Sequence, residues 1–279
     1  MDYLREIDFE TAEFANLYDE LPLWSAPFAL MLLERVPISP GIAILDVGAG
    51  TGFLTIELAQ RCGADATVIA VDPWQAAMAR LDHKLNQLGI HNARTIVQDA
   101  AMVDLPDASI DLIVSNLGVN NFKNPDEVLR TCFRVAKPGA RFLLTTNLVG
   151  HMAEFYDVYR AVLIESGFAD RTAVLNTHVN HRATPDSVRQ RLGRAGFNVL
   201  TVDTGVFHER FANGSALLRH YLIRSGFIQG WRSVAPPESV ETIFAALERK
   251  LNEISTVRGG LALTIPMACF DAHKPQTMA

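Results

Sequence analysis

Residues 42–53 read Ile-Ala-Ile-Leu-Asp-Val-Gly-Ala-Gly-Thr-Gly-Phe. An apolar run takes in an acid, Asp46, near its end. Glycines follow at 48, 50 and 52, and apolar residues at helical spacing begin directly after them. A run apolar throughout suits a parallel strand covered on both faces. The glycines allow left-handed backbone and a close approach by a ligand. Strand, glycine turn and helix in this order commit the chain to an α/β sheet with a ligand beyond the strand ends.

The unit recurs. Strands are expected at 42–47, 67–71, 93–98, 111–115 and 141–146, separated by helices at 52–61, from Pro73 to Leu88, and 124–136. Asp46, Asp72, Asp99 and Asn116 all fall at the C-terminal ends of these strands. Beyond residue 147 the pattern loosens. Helices are expected at 152–167, 184–196, 213–229 and 237–257, a polar loop at 175–183, a sixth strand from 197 to 204 or about 211, and a last strand at 260–270. The fold class is α/β: a doubly wound, mostly parallel seven-stranded, Rossmann-like sheet with helical lid insertions. Residues 1–40 read as an N-terminal helical cap and 41–279 as the core, with insertions at about 148–184 and 212–257.

Composition narrows the partners. The net charge is −6, with no Lys/Arg block, which argues against a nucleic-acid backbone. Cys62, Cys132 and Cys269 are far apart and form neither a disulfide framework nor a metal spacing, so a reducing cytoplasm is expected. The polar, acidic stretch 1–13 does not read as a signal peptide. No apolar run approaches the roughly 18 residues that a membrane span needs. The assembly is left open, with a homodimer as the one candidate.

The glycine turn discriminates between ligands. A dinucleotide fingerprint needs a third glycine at 53, where Phe53 stands, and a carboxylate at 46 does not suit a pyrophosphate. No Gly-Lys-Ser/Thr follows, so a nucleotide-triphosphate loop is absent. Residues 45–52, Leu-Asp-Val-Gly-Ala-Gly-Thr-Gly, resemble the first motif of class I S-adenosylmethionine-dependent methyltransferases. The resemblance runs through Asp72, Asp99, Asn116 and Lys137-Pro138-Gly139, in the style of the ubiquinone and menaquinone C-methyltransferases. It implies the Rossmann-like methyltransferase fold, with S-adenosyl-L-methionine as cofactor.

By that resemblance, Gly48 and Gly50 lie against the methionine part and Asp46 near its ammonium end. Asp72 takes the ribose hydroxyls, Pro73 and Trp74 flank the adenine, and Asp99 and the Ala100 N–H meet its edge. Asn116 and Leu117 line the far side. A plain alternative stands beside each: a tight turn for the glycines, a helix cap for Asp72, a loop acid for Asp99.

Methyl transfer from a sulfonium is an in-line displacement that needs alignment and exclusion of water. The expected acceptor is a small or medium organic molecule. Residues 115–122 lack the Asn/Asp-Pro-Pro-Tyr/Phe run of nucleic-acid amino methylases. Candidates on the acceptor side are Tyr18, Trp24, Asn120, Asn121 and His151; His151 is also the one candidate base, since histidine titrates near neutral pH. His178 and His181 have no carboxylate or thiol beside them, and no metal is expected. Two other classes stay open: a non-catalytic cofactor-binding module and, less favoured, a nicotinamide-dependent oxidoreductase.

Overall fold

The structure, a computed structural model, describes residues 1–276. Among the described residues seven strands are present: β1 (Ala43–Val47), β2 (Thr67–Asp72), β3 (Ala93–Val97), β4 (Ile110–Asn116), β5 (Ala136–Asn147), β6 (Asn198–Phe211) and β7 (Leu261–His273). They form one sheet in the order β3-β2-β1-β4-β5-β7-β6. β1 pairs in parallel with β2 and β4, and the β2–β3 and β4–β5 pairs are parallel too. Asp46 is level with Ala70 of β2 and Val114 of β4, so three strand ends lie side by side. The strand order reverses between β1 and β4, where open α/β sheets leave a crevice for ligands.

The helices are α1 (Ala12–Asp19), α2 (Ala26–Leu33), α3 (Phe53–Cys62), α4 (Gln75–Gln87), α5 (Pro125–Val135), α6 (Ala153–Glu165), α7 (Arg171–Asn180), α8 (Pro185–Ala195), α9 (Gly214–Arg219), α10 (Tyr221–Gly226), α11 (Ile228–Arg232) and α12 (Val240–Arg258). The chain divides into two compact units. The larger holds Asp8–Thr146, Thr184–Thr204 and the chain from Met267; the smaller holds Met1–Ile7, Asn147–Ala183 and Gly205–Pro266. Residues 1–40 are therefore shared: 1–7 belong to the smaller unit and 8–40 to the larger.

In the larger unit Ile44, Val68, Leu112, Val114 and Leu143 pack with Leu32 of α2 and with Leu54 and Leu58 of α3. Met78, Leu81 and Leu85 of α4 cover Ala70. Each such side chain contributes about 1.5–3 kcal/mol on burial, which holds the strand ends in register. In the smaller unit Trp231 stacks on Phe155 with centroids 3.9 Å apart, and its indole N–H donates to the Tyr156 hydroxyl at 3.1 Å. Tyr3 is fully buried and donates to Glu248 at 3.0 Å.

Two expectations fail beyond residue 147. Residues 175–183 are not all loop, because α7 occupies most of that span. Only Leu175 is buried on α7, so the helix has no apolar stripe to read and forms by packing beside α6. The single helix expected over 213–229 is three short ones. Extended backbone at His220 (ψ 130°) and a break at Phe227 interrupt it while the apolar spacing runs on. Among the described residues no helix is long and apolar enough to cross a membrane, and no group of three or more His, Cys, Asp or Glu is placed to hold a metal.

Candidate cofactor site

The glycine turn hangs from the end of β2. The Val71 carbonyl accepts the N–H of Gly48 at 2.8 Å and of Ala49 at 3.2 Å. The Asp72 carboxylate accepts the N–H of Gly50 at 2.9 Å, and the Ala49 carbonyl accepts that of Gly52. Gly48, Gly50 and Gly52 have φ of +77°, +54° and +85°, a conformation that side chains with a Cβ resist. A phosphate-binding turn presents its N–H groups to the ligand. Here four of them are already engaged within the protein, so the turn offers a shaped surface rather than an anion cradle.

Gly48 also meets the turn after β4. A Cβ on Gly48 would lie 2.9 Å from Gly118 Cα, and one on Gly118 would lie 2.7 Å from the Val47 carbonyl. The buried Ser115 hydroxyl donates to that carbonyl at 2.8 Å. β1 and β4 thus end in backbone-to-backbone contact.

Asp72 binds two amides at once, Gly50 N–H and Trp74 N–H at 2.8 Å. Burial pushes its pKa up, and the two amides oppose that shift. A carboxylate fixed this way keeps further lone pairs for a diol. Asp46 lies deeper, 1% exposed, and accepts the Thr55 hydroxyl at 2.6 Å. Burial raises its pKa to about 7, with Thr55 opposing and the Asp72 charge adding to the shift. Pro73 is exposed beside Asp72.

At the end of β3, Asp99 caps a short turn by accepting the Ala101 N–H at 2.9 Å, and Ala100 is buried beneath it. At the end of β4, Asn116 accepts the Thr145 hydroxyl at 2.7 Å and donates to the Ser25 carbonyl at 3.2 Å. Leu117 has φ +64°, rare for a residue with a Cβ.

Residues 9–19 cover the start of α4. Phe14 and Tyr18 pack on the Trp74 ring at 5.6 and 5.4 Å, and the Trp74 indole donates to the Phe9 carbonyl at 2.8 Å. The Tyr18 hydroxyl has its pKa raised by burial and by the Asp72 charge. Asp19 pairs with Arg80 at 2.9 Å and Lys84 at 2.5 Å. Trp24 stands in a turn at Pro22–Trp24, its ring 6.0 Å from Phe28.

Of the other candidates, Asn120 accepts the Thr146 hydroxyl at 2.5 Å and Asn121 is exposed. His151 belongs to the smaller unit, where it is buried and stacks on Phe227 at 5.5 Å. Burial, with Arg182, His181 and His178 adding to it, holds its pKa well below 6.5. An imidazole so placed stays neutral and is a weak base.

A family model described as "Methyltransferase domain" matches residues 38–190, more than half of the chain. The chain belongs to this methyltransferase family. It is a class I S-adenosylmethionine-dependent methyltransferase, and S-adenosylmethionine is its cofactor. The methyltransferase is 26% identical over 184 residues to the ubiquinone/menaquinone biosynthesis C-methyltransferase UbiE of Pasteurella multocida, covering 64% of this chain and 67% of that protein. It is 30% identical over 180 residues to the malonyl-[acyl-carrier protein] O-methyltransferase of Methylococcus capsulatus, covering 64% of this chain and 60% of that one. These matches therefore leave at least a third of each relative's length, to within a per cent, unspanned. Among solved structures, the YcgJ protein of Bacillus subtilis shares the fold with a TM-score of 0.60 at 16% identity, over 90% of this chain and 98% of that one. The [4+2]-cyclase SpnF shares it too, with a TM-score of 0.55 at 16% identity, over 90% of this chain and 81% of that one. The fold alone therefore does not set the reaction.

Sequence reasoning missed Asp19, Ser115 and Gly118. Gly118 carries a legible signal, a glycine just past a strand end. Asp19 carries none, because its partners, Arg80 and Lys84, lie more than 60 positions away on α4.

Proposed function

We propose that this methyltransferase moves the methyl group of S-adenosylmethionine to a small or medium organic molecule. The observation that carries this reading is the set of side chains at three neighbouring strand ends around a turn whose amides are already bonded. A cationic cofactor with a diol and an adenine, and without phosphate, suits Asp72, Asp99 and such a turn. When bound, the cofactor would supply a sulfonium methyl whose carbon an acceptor attacks in line, with the neutral thioether as the leaving group. The chain's own residues then bind, orient and exclude water.

In this assignment Asp72 accepts both ribose hydroxyls with the lone pairs that Gly50 and Trp74 leave open. Pro73 borders the adenine, while Asp99 and the Ala100 N–H read its edge. Gly48 and Gly50 admit the methionine backbone, and Asn116 and Leu117 bound its far side. Asp46, under the turn and protonated in part at neutral pH, acts through the turn and Thr55. Tyr18 stands over the ribose acid, and Trp24, Asn120 and Asn121 are the remaining acceptor-side candidates. The relatives' names, a ubiquinone/menaquinone biosynthesis C-methyltransferase and a malonyl-[acyl-carrier protein] O-methyltransferase, favour an organic acceptor. The net charge of −6 and the 115–122 sequence favour it over nucleic acid.

The test is turnover with methyl-labelled S-adenosylmethionine against phenolic, quinol, amine and carboxylate acceptors, read by mass spectrometry. Acceptor-dependent S-adenosylhomocysteine with a one-methyl gain in the acceptor supports the proposal. Cofactor binding with no methyl transfer to any class points instead to a binding module.

A further inference from the structure

We propose that Thr145 is a positioning residue that turns the Asn116 carboxamide so that its N–H end serves the amino-acid part of the cofactor. This rests on the cofactor reading above. Ser25, Asn116, Leu117 and Thr145 carry the inference, and all lie in the larger unit. Thr145 stands on β5 directly opposite Asn116, the last residue of β4, and is fully buried. A carboxamide has one end that accepts and one that donates, so a partner of fixed polarity decides which way it points. The Ser25 carbonyl can only accept, so the atom facing it at 3.2 Å is the Asn116 nitrogen. The Asn116 oxygen therefore faces Thr145, whose hydroxyl donates to it at 2.7 Å. That hydroxyl also accepts the Leu117 N–H at 3.2 Å, so its single hydrogen stays with Asn116.

Asn116 is left with a defined function. Its nitrogen carries two hydrogens, and Ser25 takes one. The second is left for a ligand beyond the end of β4. In the methionine part of the cofactor the carboxylate only accepts and the ammonium only donates. The remaining N–H therefore suits the carboxylate, a charge-assisted bond of the stronger kind. A valine at 145 would leave the Asn116 oxygen without its donor and the amide free to turn. The backbone does not depend on this hydroxyl. The Thr145 carbonyl also accepts the Leu117 N–H at 3.2 Å, Ser115 holds the Val47 carbonyl at 2.8 Å, and the Thr146 hydroxyl holds Asn120 at 2.5 Å. The turn stays in place while the amide loses its bearing.

The experiment is isothermal titration of two probes into wild type, Thr145→Val, Thr145→Ser and Asn116→Asp. The probes are S-adenosylhomocysteine and methylthioadenosine, an adenosine thioether that lacks the amino-acid part. Thr145→Val should weaken S-adenosylhomocysteine about tenfold and change methylthioadenosine by less than about twofold. Thr145→Ser keeps the hydroxyl and should bind both probes nearly as wild type does. Asn116→Asp puts an oxygen where the donor stands. It should show the same contrast as the valine variant, and it carries the test if Thr145→Val does not fold. Unchanged S-adenosylhomocysteine affinity in Thr145→Val or in Asn116→Asp, equal losses for the two probes, or a serine variant as weak as the valine one would each overturn the proposal while leaving the cofactor assignment standing. Absence of binding of either probe by wild type would overturn the assignment, and this inference with it.

Discussion

The Asp72 carboxylate accepts the Gly50 N–H at 2.9 Å, so the acid ending β2 braces the glycine turn that ends β1. Its other oxygen takes the Trp74 N–H and starts α4. One side chain therefore braces both the turn and the entry to α4. Asp72→Asn places an amide NH₂ against one of these N–H donors. It should weaken S-adenosylhomocysteine binding by at least tenfold and cost about 1–3 kcal/mol of stability. Calorimetric titration and urea unfolding of the variant read the two effects.

The contact between Gly48 and Gly118 is a second fixed point. Gly48→Ala forces a Cβ to 2.9 Å from Gly118 Cα at φ +77°, and Gly118→Ala forces one to 2.6 Å from Ser115 Oγ. Neither site opens onto a long, flexible side chain that can swing away. Gly50, by contrast, has open space for a Cβ and only its φ of +54° to resist one. Denaturant midpoints should show Gly48→Ala and Gly118→Ala destabilised by more than the roughly 1–2 kcal/mol expected of left-handed strain alone in Gly50→Ala.

Asp46 makes stability depend on pH. Burial raises its native pKa from 3.8 to about 7. The native state thus holds a proton that the unfolded chain releases near 4. The contribution is fully present below about pH 4 and is lost as pH rises through about 7. Asp46→Asn removes this dependence. The stability of wild type relative to Asp46→Asn should fall between pH 4 and 7 and level off above, as measured by urea unfolding across that range.

His151 has the opposite sign. Its native pKa is depressed, so its contribution is present above about 6.5 and lost as pH falls toward the lower native value. His151→Gln should flatten the acid limb of the stability curve. It should leave the shape of the pH–rate profile unchanged, because the buried imidazole does not ionise near neutral pH. A lost acid limb in the variant's rate profile would instead mark His151 as the base.

Much of the larger unit was legible because continuous apolar runs fix parallel strands closely. β1 and β2 begin or end within a residue of where their apolar runs do. The acids at 72 and 99 could be placed because position at a strand end is a property of the chain itself. What escaped depends on distant pairing. Asp19 meets Arg80 and Lys84 only once α1 lies on α4, and Gly118 matters only because β1 and β4 are neighbours. Helix α7 escaped because one buried leucine sets no period. The engaged amides of the turn were invisible too, since the sequence shows glycines but not where their N–H groups point.

The central claim is that this turn and its strand-end acids hold a phosphate-free sulfonium cofactor. Calorimetric titration of wild type with S-adenosylhomocysteine and, in parallel, with NAD tests it most directly. The account predicts one S-adenosylhomocysteine site per chain, lost in Asp72→Ala, and no NAD binding. Tight NAD binding, or S-adenosylhomocysteine binding that Asp72→Ala leaves intact, would contradict it.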